Sequence, residues 1–233
     1  MKPKDYLNAE QYDASYPSPE RAARSRPEGA QVSASVAALY VATGGVYFGL
    51  PGVDPWDIGR DAKRYAGPWP VIAHPPCGPW GRMAQFCRQD PDCGPRAVEQ
   101  VREFGGVLEH PEGSRLWEHC DMPEPVEGAD RWGGRSFLVH QVAWGHACNK
   151  PTWLYVVGVQ PMAVSALIGE TQDITMKPTH KVRNRTAGNL LQASRQMRSA
   201  TPPAFRDLLI RIARGHLRFV SPASCDVKFE AAS

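Results

Sequence analysis

No stretch of this chain approaches the roughly 18 consecutive apolar residues that a membrane span needs, so no membrane partner is expected. The opening MKPKDYLNAEQYD has no apolar core of the secretory type, which predicts a cytoplasmic protein. Cysteine is sparse and unevenly spaced. Cys77, Cys87, Cys93, Cys120, Cys148 and Cys225 make no disulfide framework for a chain of 233 residues, and reduced thiols are expected. Cys87, Cys93, His119 and Cys120 are candidates for a zinc site, but their spacing lacks paired C-x-x-C elements, so no metal is expected. Internal repeats are absent. Acids are scarce late in the chain, where Lys177, Lys181, Arg183, Arg185, Arg195, Arg198, Arg206, Arg211 and Arg214 leave Asp207 almost alone. The net charge is only +3, yet this distribution suits either nucleic acid or a solvated helix face. From Glu103 to Asp130 the chain is acidic by contrast.

What is present is enough material for a core. At 42% hydrophobic residues, the chain supports one domain. Residues 1–32 read as a polar tail, 33–220 as a single α/β domain with a short insert at about 160–190, and 221–233 as a second tail. The runs VAALYVA (36–42), WPVIAH (69–74), GGVLEH (105–110) and TWLYVVGV (152–159) each predict a buried strand. Near-continuous apolar strands belong to parallel sheets covered on both faces. The expected fold is therefore a mostly parallel, Rossmann-like α/β sheet with helices on both faces. PRAVEQVREF (95–104) predicts a helix with Val98, Val101 and Phe104 on one side. A closing helix follows from Thr201 as cap, Pro202 and Pro203 in the first turn, and Phe205, Leu208, Leu209, Ile212 and Leu217 at helical spacing.

In such sheets ligands bind beyond the carboxyl ends of the strands. One predicted strand ends in His74-Pro75-Pro76-Cys77, the next in Glu109-His110-Pro111-Glu112-Gly113. As neighbours they would bring Cys77 and Glu109 to the same edge. Proline there stops the ladder and stiffens the loop that carries the thiol. A cysteine attacks only as thiolate, a form that His74 or a set of backbone amides would favour. The plainer reading is a buried structural cysteine. Asp130-Arg131-Trp132-Gly133-Gly134-Arg135 reads either as a phosphate-contacting loop or as a turn with a solvated arginine.

The order of these pieces resembles the DNA (cytosine-5) methyltransferases across roughly residues 36–215. Pro75-Pro76-Cys77 is similar to that family's Pro-Cys loop, and Glu109 to its strand-ending glutamate. Gln141-Val142-Ala143-Trp144-Gly145-His146, leading to Lys150-Pro151-Thr152 and a strand, is similar to its Tyr-Gly segment. The 32 residues separating Cys77 from Glu109 fit one helix and its loops, and ATPPAFRDLLIRIARG is similar to the family's closing helix.

The resemblance implies a transferase that adds a one-carbon or other group to carbon 5 of a pyrimidine in DNA, cytosine favoured. Cys77 would add to carbon 6 while Glu109 stabilises charge at ring nitrogen 3, assisted by Lys150 and His74. The base would be flipped or single-stranded. Substrate contacts fall to Pro76, Trp80, Arg82 and His110, with Arg135, Gln141, His146 and Thr152. Trp117, Trp132, Trp144 and Trp153 read instead as core or loop anchors. S-adenosylmethionine or another group donor would meet Thr43, Gly44 and Gly45, with Asp54 or Asp57 holding a ribose; each acid also reads as a surface residue in a turn. Several positions depart from the family pattern. His110-Pro111 follows the glutamate in place of Asn-Val, and Lys150 and Thr152 stand where arginines are paired. The chain before Cys77 is too short for one strand and helix, so the fold implied is methyltransferase-like with a truncated cofactor half.

HPPCGPWGRMAQF is also similar to the Pro-Cys-His segment of thymidylate synthases, which would make the substrate a free pyrimidine nucleotide. A third reading is non-catalytic: a methyltransferase-fold protein that binds DNA or a protein partner.

Overall fold

The computed structural model describes residues 35–81, 84–87, 89–181 and 191–215. Six strands form one sheet: β1 (Val36–Leu39), β2 (Val53–Trp56), β3 (Val71–Ala73), β4 (Gly106–Pro111), β5 (Arg135–His140) and β6 (Pro151–Val157). Their order is β2-β1-β3-β4-β6-β5. The first four run parallel, whereas β6 is antiparallel to both β4 and β5. The sheet is thus a mixed α/β sheet of mostly parallel pairing, compatible with a Rossmann-like fold. A second, small pair joins β7 (His180–Lys181) to β8 (Leu191–Gln192).

The strands form because short apolar runs bury both of their faces, and alternate side chains sort between two layers. Ala38, Ile72 and Val107 face a core built with Phe205, Leu208, Leu209 and Ile212 of α5 (Pro203–Arg214). Ala37, Leu39, Val71, Ala73 and Leu108 face the other core, with Ala97, Val98 and Val101 of α1 (Cys93–Phe104) and Leu116 and Trp117 of α2 (Leu116–His119). Helices therefore cover both faces, as expected.

Several expectations are corrected. TWLYVVGV forms β6, but that strand is antiparallel, a direction its apolar run does not encode. VDPW, read as a turn or ribose contact, is β2; Pro55 is tolerated because β2 is the sheet edge, where a missing N–H breaks no ladder. The Asp130–Arg135 segment takes the second of its two readings, a turn with an exposed Arg131, followed by β5. Asp130 Oδ1 accepts from the backbone N–H groups of Trp132 (3.0 Å) and Gly134 (2.8 Å), and Arg135 begins the strand. Within the presumed insert, Pro161–Thr171 forms helix α3, with Val164 its one buried residue. The closing helix is capped by Pro202, not Thr201, and starts at Pro203. A short helix α4 (Arg195–Ser199) precedes it, with the Ser194 side chain accepting from the Met197 N–H. Both proposed tails, Leu217 of the closing helix and Cys225 lie outside the described residues.

Gly106 shows how closely β3 and β4 approach. Its φ is +112°, and an added Cβ would lie 2.7 Å from the Val71 backbone nitrogen, with no flexible atom to give way. Gly106→Ala is expected to destabilise the fold by about 3 kcal/mol or more, read as a lower urea midpoint with an unchanged denaturant slope.

Candidate active site

The chain leaves β1 toward β2 on one side, and β3 leads to β4 on the other. The carboxyl ends of β1 and β3 therefore flank a topological switch point, where open α/β sheets bind ligands. Because β6 runs the opposite way, its beginning meets the ends of β4 and β5. Cα pairing of Pro111 with Thr152, and of His140 with Pro151, puts Glu109, His110, Gln141, Lys150 and Thr152 at one edge. The loop after β3 brings His74, Pro76 and Cys77 to the same edge, since Ala73 pairs with Leu108.

Glu109 is the centre of this cluster. Only 8% exposed, it accepts from Gln141 Nε2 (2.7 Å) and pairs with His74 Nδ1 (3.0 Å). Lys150 Nζ lies 3.8 Å away. Burial pushes the carboxyl up, but Lys150, the His74 hydrogen bond and the neighbouring histidines outweigh it and hold Glu109 down at about 2. The group is thus a carboxylate in the free protein. Gln141 is fully buried and spends its amide hydrogens on Glu109 and Thr152 Oγ1 (3.0 Å). It acts as a brace for the carboxylate.

His74 faces Glu109 and Tyr47, whose hydroxyl lies 2.8 Å from Nε2, which corrects the expectation that it activates Cys77. The thiol is not activated at rest: burial of the sulfur and then the Glu109 charge raise its pKa, and Lys150 only partly compensates. Cys77 nonetheless remains exposed on its loop, which sets aside the buried structural reading.

His110 is buried, with Nδ1 2.7 Å from Ser114 Oγ, and the Pro76 carbonyl against its ring. Burial pushes it down to about 4, so it is a neutral imidazole joining the cysteine loop to β4. His146 is also buried; its Nδ1 accepts from the Cys148 N–H (3.0 Å), and burial lowers its pKa. It braces the turn before Lys150.

Other residues stand apart. Trp80 is half-buried and packs against the core beside α1, where an added Cβ on Gly94 would lie 2.5 Å from its ring nitrogen, and its ring centroid is 4.9 Å from that of His119. This placement corrects its reading as a base neighbour. Arg135 pairs with Val156, level with Val107 and so toward the far end of β4; it does not join the site. Arg82 lies outside the described residues. Among the described residues no group of three or more His, Cys, Asp or Glu side chains is placed to hold a metal, and no helix is long and apolar enough to cross a membrane.

The residues assigned to S-adenosylmethionine do not fit it as arranged. Asp54 is paired with Arg60 Nη1 (2.6 Å) and accepts from Trp56 Nε1 (2.9 Å). Asp57 accepts from Thr43 Oγ1 (2.7 Å) and from the Arg60 N–H (3.2 Å). The Arg60 guanidinium covers the Trp56 ring at 4.0 Å. Turns, not a helix, follow β1. Gly44, at φ +65°, has open space beside it, whereas Gly45 is crowded by the Ala42 carbonyl, 2.8 Å from an added Cβ.

Tyr47 is the functional candidate that the sequence did not reveal. It sits in a turn, 27 residues from His74, and no spacing rule links the two. With this geometry in hand, comparison with known proteins adds no name: no family model matches the chain, and no curated protein matches it.

Proposed function

We propose that this chain is a DNA base-modifying enzyme that activates carbon 5 of a pyrimidine, cytosine favoured, through a covalent adduct with Cys77. The observation that carries the reading is the convergence of an exposed cysteine, on a proline-stiffened loop after β3, with a buried carboxylate ending adjacent β4. Lys150 stands beside that carboxylate. In this reading the Cys77 thiolate bonds to carbon 6, ring electrons move toward nitrogen 3, and Glu109 delivers a proton there. Carbon 5 thereby becomes nucleophilic. It bonds to the transferred group, whose donor keeps the departing electron pair, or to a solvent proton; loss of the original carbon-5 hydrogen to a base and departure of the thiolate then restore the ring. The run of lysines and arginines late in the sequence, of which Arg183 and Arg185 lie outside the described residues, is the feature that supports DNA as the carrier of the base.

No step is routed through S-adenosylmethionine, because Asp54 is already paired with Arg60 and Asp57 with Thr43. That self-satisfied cofactor half favours a second reading, a non-catalytic protein that retains the fold and binds DNA. Mass spectrometry of nucleosides from the DNA of cells expressing the protein separates the two. A mass change on deoxycytidine, absent with Cys77→Ala, is the expected result. Unmodified nucleosides in both, with DNA binding retained, would establish the non-catalytic reading instead.

A further inference from the structure

A carboxylate held at about 2 has no proton to give to a ring nitrogen, so the proposed chemistry needs a donor within reach of Glu109. Among the described residues, three polar groups stand within 4 Å of its oxygens. Gln141 offers an amide, which does not release a proton at ordinary pH. Lys150 stands at 3.8 Å, beyond hydrogen-bond distance. His74 Nδ1 lies 3.0 Å from Oε2 and is the one titratable nitrogen in contact. The far side of the same ring is held in turn, because Tyr47, itself buried, places its hydroxyl 2.8 Å from Nε2.

We propose that Tyr47, His74 and Glu109 form a proton line in which the His74 imidazolium recharges Glu109 and Tyr47 holds the ring for that transfer. The inference rests on the carbon-5 activation proposed above. In the forward step the Nδ1–H bond breaks and an Oε2–H bond forms, leaving neutral His74 with its Nε2–H donated to the Tyr47 oxygen. Glu109 then passes the proton to nitrogen 3 as sulfur bonds to carbon 6. When sulfur leaves, nitrogen 3 returns the proton along the same path, so nothing is consumed.

Tyr47 suits this role because it stays protonated: burial first, then the Glu109 charge, raises its pKa well above the usual phenol value. The neutral hydroxyl oxygen accepts from Nε2–H in the imidazolium and in the neutral ring that the transfer leaves, and so bonds both states. The other titratable and charged groups facing the line are Lys150 and His110 beside Glu109, Cys77 on the adjoining loop, and Arg206 and Asp207 of α5 beside Tyr47. Tyr47 and His74 are positioning residues, acting on the substrate through Glu109.

The test uses exchange of the carbon-5 hydrogen of cytosine in DNA with solvent, which needs no group donor, alongside NMR titration of the His74 ring in the free protein. Addition requires both the thiolate and the line's proton. The wild-type exchange rate should rise about tenfold per pH unit up to the His74 midpoint and then level off, because further gain in thiolate is offset by loss of the proton. Tyr47→Phe removes a bond worth more to the imidazolium than to the neutral ring. It should lower the His74 midpoint by about one pH unit, move the break with it, and reduce the plateau about tenfold. Glu109→Gln should lower the midpoint further by removing the anion, and serves if Tyr47→Phe does not fold. A His74 midpoint unchanged in these variants, or a break that ignores the midpoint, overturns the proton line. Absence of exchange by the wild-type protein at every pH overturns the proposed function alone, since the NMR titration still decides whether the three groups share a proton.

Discussion

DNA containing 5-fluoro-2′-deoxycytidine is expected to become covalently joined to the wild-type chain, with cell extract as the source of the group donor, and Cys77→Ala should yield no joined species at all. Fluorine cannot leave carbon 5 as a proton does, so the ring cannot expel sulfur once a group has been added, and the adduct survives denaturation. Among the described residues, Cys87 is engaged against Gly78 with its Sγ 3.5 Å from Gln89 Oε1, and Cys148 is buried. Cys77→Ser is the sharper variant, because its hydroxyl fills nearly the same space yet ionises far less readily than a thiol. Adduct persisting in Cys77→Ser would remove Cys77 from the chemistry. Loss of the adduct with retained DNA binding and an unchanged denaturation midpoint would place the defect in bond formation.

How much of this was legible in the sequence depended on whether each feature is written locally. β1, β3, β4 and β6 announce themselves because each buries nearly every residue. β2 hides behind Asp54 and Pro55, which only an edge position allows, and β5 behind its exposed Leu138 and His140. α3 escapes because its apolar residues surround the helix, with only Val164 buried. The meeting of Cys77 with Glu109 was readable because unusual residues end two consecutive strands joined by one helix. The partners of the carboxylate were less so. Gln141 and Lys150 reach it only because β6 runs antiparallel, which the run of apolar residues does not state. His74 was visible as a residue beside the thiol, but its contact with Tyr47 and Glu109, and not with sulfur, is a matter of side-chain direction. The acids Asp54 and Asp57 carried the opposite lesson, since what looked available for a ribose is engaged by Arg60 and Thr43.

Glu109→Gln is expected to slow carbon-5 hydrogen exchange by about 10²–10⁴-fold, the range for loss of a positioned acid, while making Cys77 more reactive toward iodoacetamide at neutral pH. The two effects oppose because Glu109 does two things. It serves nitrogen 3 of the substrate, and in the free protein its charge adds to burial in raising the thiol; without it, Lys150 acts on the sulfur with the Glu109 charge no longer opposing it. Stability gives a third, independent reading. Glu109 falls from an ordinary 4.5 to about 2 on folding, so the unfolded chain binds its proton first as pH drops. The resulting stabilisation, about 3 kcal/mol, is present above pH 4.5 and lost as pH falls through about 2. His110 adds an earlier loss. Its neutral form is favoured in the folded state, so stability drains between 6.5 and about 4 as the unfolded imidazole charges. Urea denaturation at a series of pH values should show wild type losing stability over both intervals. Glu109→Gln should keep the upper loss and lack the lower one. A variant that slows exchange, quickens alkylation and flattens only the lower interval would show that one carboxylate both restrains the resting thiol and serves the bound base. Unchanged alkylation with slowed exchange would separate the two and leave Glu109 a role toward the base alone.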